Sequence, residues 1–247
     1  MILAEPPPSQ ADLHFRVFGF PVRVHPWFWA VALMWGISGH EKADPVATLI
    51  RVAVVFVSIL VHELGHAFVQ QRFGGRPRIT LYAFGGLASG GDCDRSPRNQ
   101  ILISLAGPAA GFAFAAILLA AIRFSGRQVI FGNYSGILGL FLPDWEPLFA
   151  APTVNLAIFY LLQVNILWGI INLLPIYPLD GGQVSRELFT LNHPRRGIVQ
   201  SLWLSAGTAA VVAVYAVSQN LIFTTFMFGY LAYANYQTLQ AYEQHWR

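Results

Sequence analysis

Five stretches of the chain are apolar over about the thickness of a bilayer. A helix needs roughly 20 consecutive, mostly apolar residues to cross one. Val46–Phe73, Ile101–Ile122, Val154–Leu174, Val199–Val217 and Leu221–Leu239 qualify. A sixth run, Val24–Ser38, is shorter and aromatic-rich ("PWFWAVALMW") and is also read as a span. Composition agrees: of 247 residues, 55% are hydrophobic and only 11% charged, against about a quarter charged in a soluble domain. The expected fold is all-α and integral to a membrane, with about six transmembrane helices. Residues 1–247 are read as a single domain, with its core over about 46–183 and additional helices over about 199–239.

Orientation follows from the basic residues, which favour the cytoplasmic side. With a cytoplasmic amino terminus, that side holds Arg16, Arg23, Arg72, Arg76, Arg78, Arg95, Arg98, Arg186, Arg195, Arg196 and Arg247, and the other side holds Lys42, Arg51, Arg123 and Arg127. The split of 11 against 4 accounts for all 15 Lys and Arg residues and places both termini in the cytoplasm. The arginines form no basic face and the net charge is only +3, so the bilayer is the expected partner and nucleic acid is not. The single cysteine, Cys93, allows no intrachain disulfide. The first 24 residues hold no continuous apolar stretch and are broken by Pro6, Pro7 and Pro8. No cleaved signal peptide is therefore expected, and the first span directs insertion.

Two segments depart from helical patterning. "HFRVFGFPVRV" (His14–Val24) alternates apolar and polar residues, with Gly19 and Pro21 between its halves. "RITLYAFGGLASGG" (Arg78–Gly91) has a β-rich half, a Gly-Gly turn at Gly85 and Gly86, and a short second half. Both read as hairpins, expected to pair into one small membrane-associated β-sheet on the cytoplasmic side. The stretch Arg127–Ala150 is apolar but interrupted by Gly132, Gly136, Gly139, Pro143 and Pro147, and is read as an interfacial loop or helix.

Within the second span stands "VHELGHAFVQ" (Val61–Gln70). His62 and His66 are four apart, so on a helix both imidazoles share one face and can reach one metal ion. Zinc is the usual occupant. Glu63 points to another azimuth, where it can take a proton from the attacking water instead of ligating. A helix with two hydrogen-bonded histidines is the plainer alternative. It fares poorly here, because ionisable residues inside a span are costly and functional by default. A catalytic zinc usually has three protein ligands. Asp144 and Glu146 lie on the outer side, and Asp92 and Asp94 in a loop. Asp180, in "NLLPIYPLDGGQV", falls just past the fourth span on the cytoplasmic side. Pro175 and Pro178 break the helix there, and Gly181 and Gly182 let the backbone turn. Asp-Gly is also an ordinary turn pair; beside the two histidines, Asp180 is favoured as the third ligand.

His62-Glu63-x-x-His66 and Asn172-x-x-Pro175-x-x-Pro178-Leu179-Asp180-Gly181 together resemble the site-2 protease family of intramembrane zinc metalloproteases. "VRVHPWF" at the first span, "FGG" (Phe84–Gly86) and "SLAGPAAG" (Ser104–Gly111) add to the likeness, which covers about Val22–Gln183. Many members have Asn where Gly111 stands. The resemblance implies one zinc per chain, held by His62, His66 and Asp180 near the cytoplasmic face, with Glu63 as base. It implies cleavage within or beside transmembrane segments of membrane-protein substrates. No PDZ or CBS domain of the kind many members carry is expected. Gly85 and Gly86 would line the route of water and substrate, and the hairpins would offer a strand edge to an unwound substrate. Asn172 either caps backbone groups freed by Pro175 or, as its motif position implies, donates to substrate or oxyanion. A prokaryotic inner membrane is the expected location. The alternatives are a metal- or ion-handling transporter, for which no internal repeat is seen, and a non-catalytic membrane binding protein.

Overall fold

The computed structural model describes residues 5–37, 44–83, 85–132, 143, 147–191 and 193–245. Lys42, Phe84, Asp144, Glu146, Arg247 and much of the expected interfacial stretch lie outside the described residues. The elements run β1 (Leu13–Val17), β2 (Phe20–Val24), α1 (Pro26–Ile37), α2 (Pro45–Arg72), β3 (Arg78–Tyr82), β4 (Gly85–Ser89), α3 (Pro97–Phe124), α4 (Pro152–Asn172), α5 (Asp180–Thr190), α6 (Pro194–Ser218) and α7 (Ile222–His245). Proline opens α1, α2, α3, α4 and α6, the position where its missing N–H costs no intrahelical bond. Asp44 caps α2, its Oδ1 accepting from the Val46 N–H at 2.9 Å.

Among the described helices, α2, α3, α4 and α6 are long and apolar enough to cross a membrane. The chain is thus a mainly helical integral membrane protein with a small sheet. Helix α1 is a shorter apolar helix, with 12 described residues. Helix α7 has 24 residues, with Thr224, Thr225, Asn235, Gln237, Thr238 and Gln240 interrupting its apolar sequence.

The chain divides into two compact units: Met1–Asp94 with Ala106–Gly169, and Arg95–Leu105 with Ile170–Arg247. In the first, the two expected hairpins join in one four-stranded sheet of order β1-β2-β3-β4. β1 and β2 are antiparallel, β2 and β3 parallel with Val22 opposite Ile79, and β3 and β4 antiparallel with Thr80 opposite Leu87. Period-two alternation gives the sheet an apolar face. Phe20, Val22, Val24, Ile79 and Leu81 are buried against Phe28 and Ala32 of α1 and Ile59, Leu64 and Ala67 of α2. A second cluster joins Ala115 and Ile122 of α3 to Leu162 of α4. Arg51, inside α2, is buried and donates to the Gly36 carbonyl at 2.7 Å.

Two turn expectations need correction. In the first hairpin the turn is Phe18-Gly19, both at positive φ, and Pro21 lies within β2 opposite Arg16. In the second, Gly85 and Gly86 are not the turn: Tyr82 pairs with Gly85, and both glycines open β4.

In the second unit, α5 packs on α6 and α6 on α7. The segment before α5 is held by side chains: the Tyr177 N–H donates to Ser205 Oγ at 3.0 Å, and Asn235 Nδ2 donates to the Tyr177 carbonyl at 2.6 Å. Gln100 Nε2 donates to Gln183 Oε1 at 2.9 Å. Here too the sequence reading is corrected. Gly181 and Gly182 do not make a turn after Asp180; they form the first turn of α5. Cβ atoms on them would collide with backbone of Leu173, Leu174 and Ile176, so close packing of the chain on itself is what excludes a side chain.

Candidate metal centre

Apolar spacing makes α2 a long helix, and its i, i+4 geometry does the first part of the assembly. His62, Glu63 and His66 are all buried. The imidazoles lie edge to face with centroids 4.8 Å apart, and their Nε2 atoms converge to 3.1 Å. Two nitrogens bound to one tetrahedral zinc, each about 2.0–2.1 Å from it, would stand roughly 3.3 Å apart. One ligand atom from each of His62, Glu63 and His66 can be chosen so that all lie within 4.8 Å of one another.

Two glycines keep the site open. α3 crosses α2 closely at Gly65, where a Cβ would strike the Ala106 carbonyl and stand 2.8 Å from Ala110 Cβ. This brings Gly107 over the histidines. A Cβ there would fall 2.7 Å from His62 Nε2 and closer still to His66 Nε2. The space in front of both nitrogens exists because position 107 has no side chain, which fits a bound ion. From the sheet, Gly86 approaches Glu63: a Cβ would stand 2.5 Å from its Oε1. Gly85, at φ +117°, leaves room for the Trp168 ring, 3.0 Å from where its Cβ would be.

Tyr82 closes β3 opposite Gly85. Burial, then the negative charges of Glu63 and Glu5, hold its phenol above the usual tyrosine value. It is therefore a neutral hydrogen-bonding group at physiological pH. Asn165 of α4 donates to Ser58 Oγ at 2.9 Å, one helical turn before His62. It also lies beside Gly111, whose Cβ would be 3.6 Å from Asn165 Oδ1. A polar group thus reaches this position from α4.

Of the residues expected from sequence, the first unit brings His62, Glu63, His66 and Gly86 together, with Gly85 beside Trp168. Asp180 and Asn172 belong to the second unit. There Asp180 opens α5, Asn172 closes α4, and both are buried. Gly107, Tyr82, Asn165 and Trp168 are not among the residues that the sequence points to. Only Gly107, inside a glycine-alanine motif, carried a sequence signal.

A converging pair of imidazoles and a carboxylate, buried in a membrane-spanning helix, defines a class: helical membrane proteins with a metal-binding crossing. The chain belongs to peptidase family M50, whose family model matches residues 50–214. It is 25% identical over 203 residues to a zinc metalloprotease of Methanocaldococcus jannaschii, an alignment covering 81% of this chain and 51% of that one. It is 30% identical over 177 residues to stage IV sporulation protein FB of Bacillus subtilis, covering 70% and 49%. The chain spans about half the length of these curated relatives. The solved structure of the site-2 protease from Methanocaldococcus jannaschii shares its fold, with a TM-score of 0.58 at 21% identity over 92% of this chain and 95% of that one.

Proposed function

We propose that the chain is an intramembrane zinc metalloprotease that hydrolyses peptide bonds within or beside transmembrane segments of other membrane proteins. The observation that carries this reading is the 3.1 Å convergence of His62 and His66 Nε2 beneath Gly107, where a Cβ would fall against both nitrogens. His62 and His66 present two ligand nitrogens, and Asp180 is proposed as the third ligand on its place in the Pro-Leu-Asp-Gly motif. When bound, zinc supplies Lewis acidity that polarises the scissile carbonyl and makes water a nucleophile at neutral pH. Glu63 accepts the proton of the attacking water and passes it to the leaving amine. Asn172 is proposed to donate its amide to the developing oxyanion. The free edge of β4 holds the unwound substrate extended, with Gly85 and Gly86 permitting close approach.

The proposed topology has six spans, counting α1 and α7, with both termini and the sheet on the cytoplasmic side of a prokaryotic inner membrane. The 11-to-4 distribution of basic residues supports that orientation.

The test is cleavage of a panel of single-span substrates by purified protein in liposomes. Glu63→Gln should retain one zinc per chain and lose hydrolysis by about 10²–10⁴-fold, the usual worth of a general base. Equal cleavage by wild type and Glu63→Gln would end the proteolytic reading. Asn172→Ala should keep zinc and insert normally, yet turn over about 10²–10³-fold more slowly, as expected for a lost oxyanion donor. A zinc-free, misfolded Asn172→Ala would assign that residue to helix capping instead.

A further inference from the structure

One residue on the stripe of α2 that bears the two histidines has no part in the chemistry above. Gln70 follows His62 and His66 at the same four-residue spacing, so it lies one turn beyond them. It is 4% exposed, and its Nε2 donates to the Ala88 carbonyl of β4 at 2.8 Å. Its Oε1 has no hydrogen-bond partner among the described residues. Gly90 provides the space for that oxygen, since a Cβ there would stand 2.6 Å away. Swapping the two ends of the amide would set oxygen against oxygen, so the Ala88 carbonyl fixes the donor's position.

The direction of the Ala88 carbonyl follows from the ladder. The Leu81 carbonyl accepts from the His25 N–H at 2.9 Å, on the β2 side of β3. Backbone groups alternate sides along a strand, so Ile79 and Leu81 face β2 while Thr80 and Tyr82 face β4. Thr80–Leu87 and Tyr82–Gly85 are therefore the hydrogen-bonded pairs, and Leu81–Gly86 and Ile79–Ala88 are not. Gly86 and Ala88 accordingly turn their N–H and C=O groups outward, at an edge beyond which no further strand lies among the described residues. The bond from Gln70 to the Ala88 carbonyl agrees independently.

The consequence is a shortened edge. A strand docking on β4 finds the Gly86 N–H, the Gly86 C=O and the Ala88 N–H, but at the Ala88 C=O the Gln70 amide already stands as donor, 2.8 Å away, in the path of a strand N–H. We propose that Gln70 is a positioning residue that ends substrate pairing at Ala88. It thereby sets which bond of an extended substrate lies beside Glu63, against which Gly86 packs. The inference rests on the proteolytic reading. It adds a substrate preference: along this stretch the substrate needs one backbone N–H, opposite Gly86, and none opposite the Ala88 carbonyl. Proline is therefore accepted two residues from the position where it is excluded.

The experiment maps cut bonds by mass spectrometry on a single-span substrate in liposomes. Wild type should cut one principal bond. Gln70→Met keeps the side-chain volume and removes the donor. It should retain zinc and cut additional or displaced bonds in steps of two residues, the strand repeat. A folded, zinc-loaded Gln70→Met that cuts only the wild-type bond overturns the inference. Should that variant not fold, a proline scan of the substrate with wild type decides. Apart from the cut bond, one intolerant position supports the stop. Two such positions spaced by two residues, each slowing cleavage by about tenfold or more, overturn it. Absence of any Glu63-dependent cleavage defeats the proteolytic reading and is thus distinguished from failure of the register argument.

Discussion

The β1–β2 and β3–β4 hairpins have strands of equal length and are joined by parallel pairing of β2 with β3, yet they are built on opposite rules. β1 and β2 ("LHFRV", "FPVRV") alternate, and their side chains fill both faces. Phe20, Val22 and Val24 enter the core, while Arg23 on the other face accepts the chain's amino-terminal arm. Its Nη2 donates to the Pro6 carbonyl at 2.6 Å and pairs with Glu5 at 3.6 Å. β4 ("GGLAS") opens with two glycines, and only Leu87 in it is large. Its use lies in bringing backbone against Glu63 and Trp168, where any Cβ would collide. One hairpin is stabilised by what it carries, and the other is shaped by what it leaves out. Substitutions should therefore cost stability in the first and activity in the second.

That contrast can be broken in graded steps. The largest effect should come from Gly107→Ala, the same device on α3. Its Cβ would occupy the space before His62 and His66 Nε2, so zinc content should fall from one per chain to near zero and cleavage with it. Metal analysis of purified protein checks this, and full zinc occupancy would mean the site lies elsewhere. Gly86→Ala should follow, with zinc retained and cleavage reduced by about 10²-fold, the order expected when a catalytic group is displaced by 1 Å. Initial rates would show it. Gly19→Ala, in the first hairpin, meets nothing within 4 Å but sits at φ +85°. It should cost about 1–2 kcal/mol of stability in denaturant titration and leave the cleavage rate of folded protein unchanged. The smallest effect should come from Glu5→Gln, which keeps an acceptor for the Thr80 hydroxyl and weakens only the 3.6 Å pair with Arg23, by at most about 1 kcal/mol. A large loss of cleavage in either of the last two, without unfolding, would show that the first hairpin also serves the chemistry.

Much of this was legible in the chain itself. The long helices follow from runs of apolar residues, the hairpins from alternation, and the His62–His66 pair from one helical turn. Each is a local relation between neighbours in sequence. What failed was also local in form. The Gly85-Gly86 pair looks like a turn and opens a strand. Asp180-Gly181-Gly182 looks like a turn and opens α5. In both places the sequence suggests unusual backbone angles, while most of the requirement is for close contact with other chain. Gly85 combines the two, having a positive φ and a ring beside it.

The sequence by itself determined the class of fold and the shared helical face of His62 and His66, because membrane crossing and helical periodicity are set within tens of residues by hydrophobicity and hydrogen-bonding geometry. Only the tertiary structure decided that Gly107 lies against the histidine nitrogens, that Gly86 meets Glu63, and that Gln70 donates to the outward carbonyl of Ala88. A glycine's function in such places is the absence of an atom, and a carbonyl's is its direction. Neither leaves a mark on its own residue, and both depend on which segment the fold brings opposite.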